Sequence, residues 1–294
     1  MTALRPLLLF FLTTLGATAQ ERDKAFWRAL LGADARRPTA DEVVQLLPEL
    51  SGMLGSRDSE LRDDIAYTLL AQWLHKDADP PVPIAQQRQL LAQWTSAIGE
   101  APRGGPDAVL RRSFSTLSLA LLVALDNQDP WLERAEFDRI LASAIDYLTV
   151  ELDPRGLDAE VGWVHALAHT ADLLKFCARS RHLSPADQGA ILTAIGQRLT
   201  KSTTPWVFGE DERLARAVLS LVARDDFDER VFAEWLRTYG TPERNGWATI
   251  EGAMREHDRR HLFTTLHALL TVDPRDSASL QKGRALVAAH LKGA

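Results

Sequence analysis

The sequence predicts an all-α protein of about eleven to thirteen antiparallel helices, and three observations carry that expectation. Apolar residues recur at three- and four-residue spacing through most of the chain, short loops rich in Gly, Pro and Asp separate these segments, and no alternating run is flanked by hairpin turns. Helices joined by short loops lie antiparallel to their sequence neighbours. The expected architecture is therefore an α/α superhelix or HEAT/armadillo-like stack, with a closed α/α toroid as the alternative.

The first stretch stands apart from the fold. Arg5 supplies a positive start, Leu7 to Leu15 an apolar core and Ala17-Thr18-Ala19 a small-residue cleavage site. Residues 1–19 thus read as a secretory signal peptide cut after Ala19, which places the mature chain in the periplasm or outside the cell. The apolar run is too short to cross a bilayer, and no later segment is read as long and uncharged enough to anchor the mature chain. Residues 20–294 are expected to form a single helical domain.

Taken in order, 22–32 carries Phe26, Trp27, Leu30 and Leu31 at helical spacing and stops at Gly32. Thr39 and Glu42 form a capping box for the next helix, in which Pro48 predicts a kink or break. A longer helix over 58–75 has the stripe Leu61, Ile65, Leu69 and Trp73, and the connector 76–81 ends it. Helix 83–98, the loop 101–106 and a strongly apolar helix over 107–125 follow; apolar residues on most of its sides make the last of these central. Asp129-Pro130 is read as the start of a helix to about 152, and Ser184-Pro185 as the cap of one to about 199. Further helices are expected near 210–224, 228–239, 257–271 and 277–291. The run Leu69-Leu70-Ala71-Gln72-Trp73 recurs as Leu90 to Trp94, an echo that would mark an internal repeat if it reflected the architecture.

Composition narrows the function. The formal charge of −6 becomes −7 once Arg5, the one charged residue of 1–19, is removed, and a mildly acidic chain argues against nucleic acid as a partner. A hydrophobic content of 46% is ample for a packed core. The single cysteine, Cys177, allows no intramolecular disulfide and reads as a small buried hydrophobe.

The stretch from Asp153 to Asp172 concentrates the candidate chemistry: turn residues, then a helix in which His165, His169 and Asp172 stand at i, i+4 and i+7 on one face. Two functional readings stand beside a structural one. In the first, His165 and His169 share a divalent metal with an acid from elsewhere, 210–212 being the richest supply, and His257 with His261 repeats the spacing. Position 166 is Ala, so the glutamate of a His-Glu-x-x-His protease is missing. In the second, Asp172 orients His169 as an acid, base or ligand contact in a groove, with Arg155 as a further binding residue. The structural reading, which ranks first, makes His165, His169 and Asp172 a network satisfying loop and helix backbone, and Arg155 a pin paired with Asp153, Asp158 or the acids at 210–212. Trp163 falls away from the histidines on the wheel and is read as a core anchor where Gly162 permits close helix approach. Arg255, Arg259 and Arg260, interleaved with acids, are read as a solvated face.

The segments Asp153-Pro154-Arg155-Gly156 and Gly162 to Leu174 closely resemble the signature of a bacterial family of unknown function, whose members share a Gly-Trp-x-His-Ala-x-Ala-His-x-Ala-Asp helix. Leu61-Arg62-Asp63, Arg112-Ser113-Phe114-Ser115 and Asp211-Glu212-Arg213-Leu214 resemble its weaker motifs, in the expected order. The resemblance covers about 40–270 and implies an all-α fold without an assigned reaction. The functional expectation is an exported module that binds a ligand, peptide or protein in a groove near 153–172. A hydrolytic enzyme using His165, His169 and Asp172, with or without a divalent metal, is the alternative.

Overall fold

A computed structural model describes residues 22–32, 35–99, 104–275 and 277–293; the signal-peptide reading lies outside them. Contacts divide the chain into two units, one ending at Arg36 and one beginning at Arg37. In the first, α1 (Lys24–Arg28) is capped by Asp23, whose carboxylate accepts from the Phe26 N–H, and the chain after it returns so that Arg36 N donates to Ala29 O.

Among its described residues the second unit holds eleven α-helices in two rows. One row holds α3 (Thr68–Trp73, extending a π-helical segment Glu60–Tyr67), α5 (Ala108–Asp126), α7 (Ala166–Cys177), α9 (Glu210–Val222) and α11 (Ile250–Val272), each packed on the next. The other holds α2 (Ala40–Met53), α4 (Ile84–Ile98), α6 (Arg134–Val150), α8 (Pro185–Thr200), α10 (Glu229–Trp235) and α12 (Ala278–Gly293). From α4 to α12 the helices of this row also pack on their neighbours. Successive helices alternate between rows because their short connections force them antiparallel, so α5, α7 and α9 run parallel and present their N-termini at one end. The expected all-α stack is what forms.

Local signals placed the elements well where caps are strong. The Thr39–Glu42 box starts α2, and Ser184 with Pro185 starts α8, where Asp187 completes a box. Three expectations need correction. Pro48 sits inside α2 without ending it. The helix after Asp129 starts only at Arg134, because Glu133 and Glu136 form the capping box, while Asp126 Oδ1 accepts from Trp131 N and Leu132 N and holds the approach extended. The Leu-Leu-Ala-Gln-Trp echo falls on α3 and α4, one in each row, so it is not the repeating unit; that unit is a helix pair.

α5 is long and apolar enough to cross a membrane, with a mean hydropathy of 1.5 over an 18-residue window, contrary to the reading that no later segment is. Its environment explains the composition: α5 packs on α3, α4 and α7, so that 78% of that window is buried. The basic cluster also departs from expectation. Arg259 is buried, paired with Glu256 and donating to Gly240 O, so only part of that cluster is solvated.

Candidate functional site

Between α6 and α7 the chain makes a tight hairpin, Leu157–Asp158 against Gly162–Trp163, with Leu157 opposite Trp163. The ladder continues where Val164 N donates to Gly156 O and His165 N to Arg155 O. Helix α7 therefore begins only at Ala166. His165 is its N-cap, held in the left-handed region at φ 48°, so the helical wheel holds for His169 and Asp172 but not for His165.

Two arginines fix this hairpin. Arg155 grips Asp153 through Nε and Nη2, reaches Asp158 and Asp107 at 3.4 Å, and donates to Pro106 O at 2.7 Å. This is the pinning role, with Asp107 in place of the acids at 210–212. Arg62, fully buried, donates to Ser56 O (2.7 Å), Val161 O (2.6 Å) and Trp163 O (3.1 Å), and its guanidinium lies 4.8 Å from the Phe114 ring centroid. Gly162, at φ 74°, is needed where the hairpin meets this clamp: a Cβ there would stand 2.9 Å from the Ser59 Cβ. The close approach expected at Gly162 is thus to Ser59, the N-cap of the π-helical segment that runs into α3.

The histidines are buried beneath the hairpin. Ser113 Oγ donates its one proton to Val164 O at 2.5 Å, so at 2.8 Å from His169 Nδ1 it accepts, which fixes the proton of His169 on Nδ1. That hydroxyl is tied down and is not presented as a nucleophile. Asp172 pairs with Lys175 at 2.8 Å and with Arg213 of α9, and is not hydrogen-bonded to His169. His165 Nε2 is buried without a hydrogen-bond partner, 3.9 Å from Glu210 Oε1. Burial, with Arg213 nearby, pushes the His165 imidazole down to about 4, and burial beside His165 and Arg213 pushes His169 well below the usual range. Both rings are neutral at neutral pH. Burial also raises the Glu210 carboxyl, and it raises Asp63 to about 6 against the opposing pull of Arg62.

The two imidazoles lie edge to face, 5.8 Å between centroids, and among the described residues no group of three or more His, Cys, Asp or Glu is placed to hold a metal ion. The concavity around His165, lined also by Arg155, Arg198, Trp206 and Glu210, is about 10 Å³, the size of one water site. Among the described residues, this concavity is too small for a ligand larger than water.

What the site exposes instead is apolar. Trp163 stacks on His165 at 4.3 Å and is 39% exposed, the reverse of a core anchor, because a strand residue points where a helical one would not. Phe208, 41% exposed, stands edge-on to Trp163 at 5.9 Å and packs so tightly on Gly156 that a Cβ there would lie 2.1 Å from the Phe208 ring. Leu157 (51%) and Val207 (62%) extend the patch. Phe208 was not legible as a site residue; its signal, an aromatic between Val207 and the left-handed Gly209 that caps α9, is weak alone.

The four segments singled out by their motifs thus meet in one place: Arg62 and Asp63, Ser113 and Phe114, His165 to Asp172, and Arg213. A family model described as a protein of unknown function, DUF2785, matches residues 97–268, more than half of the chain. The chain belongs to the DUF2785 family. The matched region contains the hairpin, both histidines and Arg213, while Arg62 and Asp63 lie before it. No curated protein and no solved structure matches the chain.

Proposed function

We propose that this chain is an exported binding module that captures a peptide or protein segment through the apolar face formed by Leu157, Trp163, Val207 and Phe208. One observation carries the reading: Leu157 and Trp163, paired on a hairpin that Arg62 and Arg155 hold in place, are exposed with Phe208 of the segment before α9 against Trp163 and exposed Val207 next to it in the chain. Contiguous exposed apolar surface marks interaction sites, and a preorganised aromatic pair loses little freedom on binding. The partner this chemistry recognises is a segment with aromatic or branched aliphatic anchors, not a nucleic acid. The hydrolytic alternative has less support, since imidazoles held neutral with pKa values far below 7 are weak general bases and the nearest hydroxyl is already committed.

Selection of a random peptide library on the immobilised chain beginning at Gln20 tests the proposal. Enriched peptides should carry apolar anchors, and the double variant Trp163→Ser, Phe208→Ser should weaken their binding by at least about tenfold, roughly 1.4 kcal/mol. Unchanged affinity in that variant would remove the aromatic face as the site. Turnover of a peptide or ester that disappears in His169→Gln, with no binding through the face, would instead establish the hydrolytic reading.

A further inference from the structure

The opposite end of the parallel helices carries a different surface. Where α5, α7 and α9 end, a groove of about 820 Å³ is lined by four arginines, Arg179, Arg181, Arg224 and Arg275, and by Asp126, Asp225 and Asp226. Three of the four are engaged. Arg181 pairs with Asp126 and donates to Leu132 O; Arg224 pairs with Asp226 and donates to Ala178 O, Ser180 O and Leu183 O; Arg275 grips Asp273 through two nitrogens.

Arg179 differs. Its Nε donates to Ser220 Oγ at 3.0 Å and its guanidinium lies 5.4 Å from the Phe176 ring, but among the described residues neither terminal amino group of this exposed side chain has a partner and no carboxylate pairs with it. The helix-end carbonyls near it serve other donors: Phe176 O accepts from Asn127 Nδ2 and Arg179 N, Cys177 O from Ser180 N, and Ala178 O from Arg224. Partial burial, and after it the charges of Arg275 and Arg216, each itself paired with an acid, lower its affinity for a proton. Arg179 therefore presents a planar cationic fork with two free amino groups at the wall of a groove in the size range of ligand sites, where the other arginines are each answered by an acid.

We infer that this groove is an oxyanion-binding site, in which the two free amino groups of Arg179 take one phosphate or carboxylate group. The guanidinium presents two parallel N–H donors that match either oxyanion. The inference does not rest on the apolar face, which lies at the other end of the helices.

The test uses the chain from Gln20 at low ionic strength, with inorganic phosphate and citrate as separate probes. Either probe at about 20 mM should raise Tm by at least about 3 °C, in excess of the rise given by equal ionic strength of sodium chloride. A larger rise with phosphate assigns the natural ligand to phosphates, and a larger one with citrate assigns it to carboxylates. Arg179→Gln should abolish the rise, whereas Arg237→Gln, a surface arginine paired with Glu234, should leave it intact. Arg179→Lys keeps the charge and stem without the fork, and calorimetric titration should show its Kd raised by about fivefold or more. No rise above the chloride control with either probe, or an equal rise and Kd in both Arg179 variants, overturns the site.

Discussion

His165 and Asp63 pull the acid stability of this protein in opposite directions. The His165 imidazole binds its proton near pH 4 when folded and near 6.5 when unfolded, so between those values the unfolded chain holds more protons and stability falls as pH falls. A shift of that size corresponds to about 3 kcal/mol at most, and His169 acts in the same direction. Asp63, raised from 3.8 to about 6, does the reverse: the folded chain holds the extra proton, so stability rises as pH falls through 6. His165→Asn, which tolerates the left-handed conformation, should therefore make Tm at pH 5 less depressed relative to pH 7 than in the parent. Asp63→Asn should make it more depressed. Thermal unfolding at the two pH values checks both, and a His165→Asn difference equal to the parent's would mean that the ring is not buried neutral.

At the scale of elements, the hairpin over 157–163 decides the geometry of the site. Its turn chemistry was visible in Asp153-Pro154-Arg155-Gly156 and Gly162, yet the segment from Gly162 onward reads by periodicity as helix, because Val164, Leu167 and Ala168 are apolar on either reading. Tertiary contacts chose the strand: Arg62 and Ser113 supply partners for the carbonyls of Val161, Trp163 and Val164, which a helix would have satisfied internally. Two glycines test this. Gly162→Ala meets both the left-handed penalty and the Ser59 side chain, whereas Gly209→Ala, at φ 85° with open space around it, meets the penalty alone. Urea denaturation should give a loss of about 1 kcal/mol for Gly209→Ala and about 2–3 kcal/mol for Gly162→Ala. Equal losses would show that the hairpin is not pressed against the π-helical segment.

For the whole molecule, the two ends of the parallel helices divide the surface by chemistry, an apolar face at the N-termini and a basic groove at the C-termini. The core between them rests on α5, whose composition alone would suit a membrane. If its apolar faces are answered by α3, α4 and α7, the chain from Gln20 should remain in the supernatant after ultracentrifugation with phospholipid vesicles; sedimentation with them would mark α5 as a membrane-inserting helix. Export belongs to this scale too, and N-terminal sequencing of the chain recovered outside the cytoplasm should read from Gln20. Finding Met1 there would end the signal-peptide reading.

Periodicity, caps and loop lengths determined the all-α class, the helix order and the alternation that makes a stack, because each is a local property of backbone hydrogen bonding and side-chain spacing. They also marked 153–172 as the place to look, and paired Arg155 with Asp153 and Asp158, since charged neighbours in one loop can reach each other without help from the fold. Only the tertiary structure decided what that place is. It turned Trp163 outward, brought Phe208 beside it from a segment 45 residues later, gave His169 to Ser113 and Asp172 to Arg213, and left Arg179 without an acid. Those outcomes depend on which distant polar groups and rings meet once helices pack, and the spacing of residues within one helix holds no information about its neighbours.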